Sequence, residues 1–143
     1  MTEYFLPGED SSEEAIAAIG DELALFDDWL ERYEFIIELG RKLPPYPAKW
    51  QNEAHRVQGC QSQVWLAAHE EGEKLFFTGA SDAAIVSGLV ALVLRVYSGR
   101  TRTEILKTPA KFLHDLGLIG ALSTNRGNGV AAMVERIQQI AKS

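Results

Sequence analysis

The residue whose chemistry is most informative in this 143-residue chain is its one cysteine, Cys60. A single thiol excludes an internal disulfide and any all-cysteine zinc or iron–sulfur site built within the chain. Gly59 precedes it, and the other positions between 58 and 63 carry Gln or Ser. This composition is typical of a loop rather than of a core strand. Cys60 is therefore either an inert small hydrophobe or a reactive thiol; its polar neighbours count against a core position and leave the two alternatives about evenly balanced.

A reactive cysteine acts as its thiolate, and the pKa of an unperturbed thiol is about 8.5. A nearby cation lowers that pKa, and the candidates for this role are His55, Arg56 and Arg126. The sequence alone does not place any of them beside Cys60. Thiol exchange needs only a moderately lowered pKa, because nucleophilicity falls along with basicity.

The histidines offer weaker alternatives. A His55–Cys60 pair is compatible with a cysteine hydrolase, but that reaction also needs an oxyanion hole and a third group that orients the base. The spacing indicates neither. The three histidines, at positions 55, 69 and 114, share no ligand spacing, so no metal site is predicted.

The charge of the chain is unevenly distributed. The net charge is −6, yet residues 1–40 carry twelve acidic residues and one base, Arg32, while the remainder is basic by +5. An acidic protein is a poor candidate for nucleic-acid binding, because phosphate contacts dominate that affinity. The acidic region is either a solvated helix face or a docking surface for a basic partner.

No membrane-spanning or secretion segment is predicted. The first residues lack the basic stretch and the apolar run of a secretion signal. The longest uncharged apolar run, residues 83–94, has twelve residues, whereas spanning a bilayer takes about 20. We therefore expect a cytoplasmic protein.

The hydrophobic pattern predicts helices towards both ends of the chain. Residues 1–20 are expected to form a loosely ordered N-terminal arm, with a short helix over 13–19. A stronger helix is predicted over 21–39, because apolar residues recur there every three or four positions. Gly40 stands at its predicted C-cap. A turn predicted at 125–129 precedes a last amphipathic helix.

A further helix, predicted over 82–97, is apolar nearly all round and should be buried. Ser81 is its predicted N-cap, with Asp82 in the first turn, where a carboxylate favours the helix dipole. The small residues Ser87 and Gly88 predict the close approach of another backbone. Two short helices are predicted over 103–107 and 109–116.

Strand-forming residues at 63–68 and 74–78 predict an antiparallel hairpin around a turn at 70–73. Residues 55–57 are predicted to add a short third strand. The predicted fold class is α+β, with a small antiparallel sheet covered by helices. Residues 21–143 are expected to form a single domain.

Residues 57–65, VQGCQSQVW, closely resemble the signature loop of the SufE/CsdE family of sulfur acceptors. Three further stretches resemble other parts of that family in the same order: 33–44 the end of its N-terminal helix, 79–89 the start of its central helix, and 122–133 its last loop and helix. Together the stretches extend from about residue 29 to the end of the chain. The part before Glu22 has no firm match.

The resemblance implies a SufE/IscU-like fold and a sulfur-transfer accessory role rather than a stand-alone enzyme. Family members accept sulfur from the persulfide of a SufS/CsdA-like cysteine desulfurase, stimulate that enzyme and pass the sulfur towards iron–sulfur cluster assembly. Pyridoxal phosphate is expected on the desulfurase and no cofactor on this chain. The chain lacks the three cysteines of an IscU scaffold, which favours a carrier.

The resemblance also implies site residues. The acceptor cysteine of the family falls on Cys60, its aspartate at the helix start on Asp82, and its arginine in the last loop on Arg126. His55 is a further supporting candidate because it lies close to Cys60 in sequence. We also hypothesise that Trp65 and the central helix form an apolar pocket that shelters a persulfide on Cys60.

Two other functions stay open: a non-catalytic regulatory module that binds a desulfurase without carrying sulfur, and the cysteine hydrolase considered above. The downstream partner is an iron–sulfur scaffold or another sulfur acceptor. A homodimer is one option for the oligomeric state, which the sequence does not fix.

Overall fold

The computed structural model describes residues 4–58, 63–118 and 124–143, with the side chains of 124–128 outside this description. Its helices and strands are, in chain order, α1 (Ser12–Leu23), α2 (Trp29–Arg41), β1 (Val64–Glu71), β2 (Lys74–Ser81), α3 (Ala84–Tyr97), β3 (Arg100–Thr101), α4 (Arg102–Leu106), α5 (Lys111–Asp115) and α6 (Thr124–Lys142). Two short 3₁₀ helices, Ala48–Trp50 and Glu53–His55, lie between α2 and β1. The predicted α+β class is confirmed, since helices pack around a small antiparallel sheet.

The sheet has the strand order β1–β2–β3, and both pairings are antiparallel. β1 and β2 form the predicted hairpin. The third strand is β3 and not residues 55–57, where Arg56 forms only an isolated bridge to Trp65. Gly99, with a φ of 79°, turns the chain back after α3. Its N–H donates to the Leu75 carbonyl (2.8 Å), which brings β3 beside β2.

Strand alternation gives the hairpin two faces. One face packs on α3 and α6, because a Cβ added at Gly79 of β2 would lie 3.0 Å from Val90 Cγ1 of α3. On the other face, the ring of Tyr4 lies 5.2 Å from that of His69 and 5.7 Å from that of Trp50. Residues from before α1 and from the first 3₁₀ helix therefore cover the face opposite to α3.

The central helix α3 is buried, as predicted, on eleven of its fourteen residues. It begins two residues later than predicted, because Ser81 is the last residue of β2 and Ala83 is the N-cap, without a side-chain cap. The Ser81 hydroxyl instead accepts a hydrogen bond from the Ala83 N–H (3.2 Å). None of the helices in the described part of the chain combines the length and apolar character that crossing a membrane requires.

The predicted close approach at Ser87 and Gly88 is confirmed, and the approaching element is α2. A Cβ at Gly88 would overlap the carbonyl oxygen of Ile36, and one at Gly40 would lie 2.6 Å from the Gly88 nitrogen. Gly40 lies inside α2, which continues to Arg41. Its prediction as a C-cap was wrong, since tight helix packing explains this glycine.

The structure divides the helix predicted over 21–39 between two helices. α1 ends at Leu23 and α2 begins at Trp29. Asp28 caps α2, because its Oδ1 accepts a hydrogen bond from the Glu31 N–H (2.9 Å). The predicted turn at 125–129 also differs from the structure, in which α6 begins at Thr124 and includes these residues.

Residues 4–20 are packed on the domain, in contrast to the loosely ordered arm predicted over 1–20. Within α1, Ala15 and Ile19 are fully buried and the helix packs on α3. Ahead of α1, the Phe5 N–H donates to the Phe77 carbonyl of β2 (2.8 Å). The physical reason is the apolar stripe at four-residue spacing, which the acidic composition of this region obscures.

Four charged residues, Glu9, Glu22, Arg95 and Arg100, attach the N-terminal region to the end of α3; we call them the Arg95 cluster. Arg95 Nη2 lies 2.6 Å from Glu22 Oε2 and 2.7 Å from Glu9 Oε2. Arg100 Nη1 donates to the backbone carbonyl of Glu9 (2.8 Å). Hydrogen bonds with Glu22 and Glu9 raise the pKa of Arg95. The hydrogen bond between Arg95 and Glu9 in turn lowers the pKa of Glu9. Part of the acidic charge is thus neutralised within the fold.

Candidate functional site

The candidate acceptor, Cys60, lies outside the described residues, but the chain on both sides of it is described. The Val57 N–H donates to the Val64 carbonyl (2.8 Å), and Arg56 bridges to Trp65. We call these two short pieces, 56–57 and 64–65, the stems. Because the stems are hydrogen-bonded to each other, the two ends of the six-residue stretch between them lie side by side.

Asp82 holds the second stem. Its Oδ1 accepts a hydrogen bond from the Gln63 N–H (3.0 Å), and its own N–H donates to the Gln63 carbonyl (3.3 Å). Asp82 is exposed and precedes Ala83, the N-cap of α3. The predicted place of Asp82 in the first helical turn therefore differs from the structure. The carboxylate instead binds the backbone three residues after Cys60.

His55 and Arg56 lie immediately before the first stem and interact with close neighbours in sequence. The His55 Nδ1 lies 2.9 Å from Asn52 Oδ1, and the Arg56 guanidinium lies 3.3 Å from the Glu53 carboxylate. The partner of the His55 ring nitrogen is thus an amide oxygen rather than an orienting carboxylate. Any contact of His55 or Arg56 with Cys60 falls outside the described residues.

Arg126, the other predicted cation, belongs to the first turns of α6 by its backbone. Its side chain lies outside the description, so its predicted place beside Cys60 stays a prediction. Among the groups that could bind a metal, the described part of the chain brings together no three His, Cys, Asp or Glu side chains.

One cation near the stems was missed by sequence reasoning. Arg136 of α6 is partly buried, and its Nη2 donates to the carbonyl of Ala54, just before the first stem (3.1 Å). Arg136 also lines a cleft of about 240 Å³, the α6 cleft, whose lining residues are Val57, Gln58, Ala132, Glu135, Arg136 and Gln139. The contact joins residues 82 positions apart, so no local sequence signal could have revealed it.

The structure separates the two elements of the proposed persulfide pocket. Trp65 pairs with Ala80 in the hairpin, one residue away from Gly79, which points towards α3. Since neighbouring strand residues point to opposite faces, Trp65 lies on the face away from α3. Trp65 is buried, with 8% exposure; that Trp65 and α3 shelter a persulfide on Cys60 stays a prediction, because Cys60 lies outside the described residues.

A known protein family matches most of the chain. The SufE family, described as an Fe-S metabolism associated domain, matches residues 17–141. The chain belongs to the SufE family. The resemblance drawn from the Cys60 segment is thereby confirmed, and the protein is associated with Fe–S metabolism through its family.

Two relatives within the SufE family extend over most of the chain. An uncharacterized SufE-like protein of Rhizobium meliloti (strain 1021) is 43% identical over 127 residues, which cover 85% of this chain and 91% of the relative. An uncharacterized SufE-like protein of Rhizobium etli is 42% identical over 127 residues, covering 85% of this chain and 86% of the relative.

A solved structure shares the SufE-family fold of this chain. The solution structure of a hypothetical protein from Thermus thermophilus matches with a TM-score of 0.74, covering 90% of this chain and 93% of that one at 23% identity. At this identity the likeness concerns the fold alone.

Proposed function

We propose that this protein accepts a sulfur atom on Cys60, as a persulfide, from a cysteine desulfurase and carries it towards iron–sulfur cluster assembly. The observation that supports this most is the pair of joined stems around the only thiol of the chain. The residues that flank the undescribed stretch, Gln58 and Gln63, are both exposed. Such a position suits a thiol that must meet a partner protein.

The proposed reaction is a thiol exchange. The Cys60 thiolate attacks the outer sulfur of the desulfurase persulfide, a new S–S bond forms, and the desulfurase cysteine leaves as its thiolate. No external oxidant or reductant is needed, because one S–S bond replaces another. Pyridoxal phosphate serves the desulfurase in this proposal, and this chain acts through its own side chains. We place this exchange in the cytoplasm.

Three further residues have proposed supporting roles. Asp82 is a positioning residue, because its carboxylate holds the backbone of Gln63 next to the undescribed stretch. Arg126 is proposed as a cation near the thiolate, and His55 as a weaker candidate for the same role. If Arg126→Ala left both the pKa of Cys60 and the rate of sulfur transfer unchanged, its role would be discarded.

The decisive experiment is intact mass spectrometry of the protein after incubation with a cysteine desulfurase and cysteine. We expect one added sulfur atom on the wild type, removable by a thiol reductant, and none on Cys60→Ser. A wild type that stays unmodified contradicts the carrier role. If Cys60→Ser still stimulates the desulfurase as well as the wild type does, the protein is a regulatory module and not a carrier.

A further inference from the structure

The α6 cleft is lined by an arginine whose described partner is a backbone carbonyl. Arg136 donates one hydrogen bond, to the Ala54 carbonyl, and no carboxylate lies within ion-pair distance of it among the side chains that the structure describes. Arg56, the neighbouring arginine of the first stem, is by contrast paired with Glu53. The Arg136 guanidinium lies beside a cleft and has donors left to bind an anion.

Other groups in the lining add to this chemistry. The amides of Gln58 and Gln139 are further potential hydrogen-bond donors to an anion. Glu135 also lines the cleft and opposes an anion, but it is exposed, so water screens its charge. The volume of about 240 Å³ lies below the range of roughly 300–1,000 Å³ typical of drug-sized ligands. The cleft therefore suits a small group such as a carboxylate.

The position of the cleft relates it to the sulfur. Val57 and Gln58 belong to its lining and directly precede Gly59 and Cys60. Gln58 lines the cleft, and Cys60 follows it by two positions along the chain, so the cleft and the acceptor cysteine are neighbours in sequence. A molecule that carries a carboxylate a few bonds from its thiol could occupy the cleft and meet the sulfur on Cys60.

We propose that the α6 cleft binds the carboxylate of a sulfur-accepting thiol, with Arg136 as the anion-binding residue. This inference rests on the proposed carrier function and names the class of acceptor. The acceptor thiolate attacks the outer sulfur of the Cys60 persulfide, the S–S bond to Cys60 breaks, and Cys60 leaves as its thiolate. The acceptor becomes a persulfide and the transferred sulfur keeps its proton, so atoms and electrons balance.

The first test does not require a persulfide. Iodoacetate and iodoacetamide alkylate the same thiol, but only iodoacetate carries a carboxylate, and the chain has a single cysteine to modify. We would measure the rate of alkylation by each reagent and take the iodoacetate-to-iodoacetamide ratio, which cancels changes in the reactivity of the thiol itself. Arg136→Met should lower this ratio about threefold to tenfold, the size expected for a partly exposed charge pair.

Two matched variants show whether the effect belongs to the cleft. Arg56→Met removes an equal charge from the first stem and should leave the ratio within about twofold of wild type. Glu135→Gln removes the opposing charge and should raise it. An equal fall in Arg56→Met and Arg136→Met would indicate a general field rather than a binding site, and an unchanged ratio in Arg136→Met would overturn the inference directly.

The second test follows sulfur release from the persulfidated protein to 3-mercaptopropionate and to 2-mercaptoethanol, monitored by intact mass spectrometry. The preference of the wild type for the carboxylate thiol should shrink in Arg136→Met. Normal persulfide loading with an unchanged preference overturns this inference and leaves the carrier function standing. Failure to load any sulfur contradicts the carrier function, while the alkylation ratio still decides whether the cleft binds a carboxylate.

Discussion

The Arg95 cluster and the stems around Cys60 are held in different ways. In the cluster, the side chains of Arg95, Glu9 and Glu22 are only 17%, 20% and 34% exposed, and several hydrogen bonds act together. The stems are held by backbone pairing and by exposed hydrogen bonds, such as the two that Asp82 forms with the backbone of Gln63. The difference teaches that the Arg95 cluster anchors the N-terminal region to the end of α3, whereas the stems fix a local position. Substitutions in the two regions should therefore separate folding from thiol chemistry.

The largest effect on stability is expected from Gly88→Ala. This residue lies at the contact of α2 with α3, in the scaffold that both regions share. The added Cβ would overlap the Ile36 carbonyl, so the helices must move apart. We expect a loss of about 3 kcal/mol in the free energy of unfolding, measured by urea denaturation. Gly8→Ala is the control, because a Cβ there meets nothing within 4 Å. Equal stability of the two variants would contradict the tight helix contact.

Arg95→Met tests the anchored side of the comparison. It leaves Glu9 and Glu22 close together without their cation, so we expect a loss of about 2 kcal/mol in urea denaturation. Arg41→Met removes an exposed arginine paired with Glu38 and should cost less than about 0.5 kcal/mol. Alkylation of Cys60 should be unaffected by either variant. A changed alkylation rate in folded Arg95→Met would show that the two regions are coupled.

Lowering the pH should weaken the attachment of the N-terminal region, because it protonates Glu9. The hydrogen bond from Arg95 lowers the pKa of Glu9 below its ordinary value of 4.5, so the ionised form is favoured in the folded state. Its contribution is complete above pH 4.5 and is lost as the pH falls through the folded pKa. Between pH 6 and pH 3, the free energy of unfolding should therefore fall in both proteins, and in Glu9→Gln it should fall by about 0.5–1 kcal/mol less than in the wild type. Parallel pH profiles from chemical denaturation would rule out this contribution.

Asp82→Ala should have a small effect on stability, because its hydrogen bond to Gln63 is exposed. We expect a loss of about 0.5–1 kcal/mol in urea denaturation. The rate of sulfur loading on Cys60 should nevertheless fall, since the second stem loses its side-chain support. Asp82→Asn retains an acceptor oxygen and should restore most of that rate. Identical loading rates in Asp82→Ala and wild type would leave Asp82 without a positioning role.

The predictable parts of the fold are those encoded by local pattern. The apolar composition of α3 and the strand formers of the hairpin were sufficient to place both elements within a few residues. The N-terminal region was mispredicted because its order depends on partners that are distant in sequence. Glu9 and Arg95 are 86 residues apart, and Glu22 and Arg95 are 73 apart. A helix cap at Asp28 also divided a pattern that resembled one continuous helix.

The candidate site was predictable only in part, for a related reason. Cys60 stands out because the chain has one thiol and polar residues surround it. Asp82 could be selected by resemblance, but its hydrogen bond to Gln63 depends on the pairing of β1 with β2. Arg136 gave no signal, because the α6 cleft exists only after α6 packs beside the first stem.

The hydrogen bond between Val57 and Val64 has a consequence for how this segment can vary in length. The ends of the loop already lie side by side, and each doubling of loop length costs only about 0.6 kcal/mol of closure entropy. A few Gly or Ser residues inserted beside Cys60 should therefore cost little free energy of folding. The length of the segment that contains the thiol can vary while the paired residues on either side keep their place.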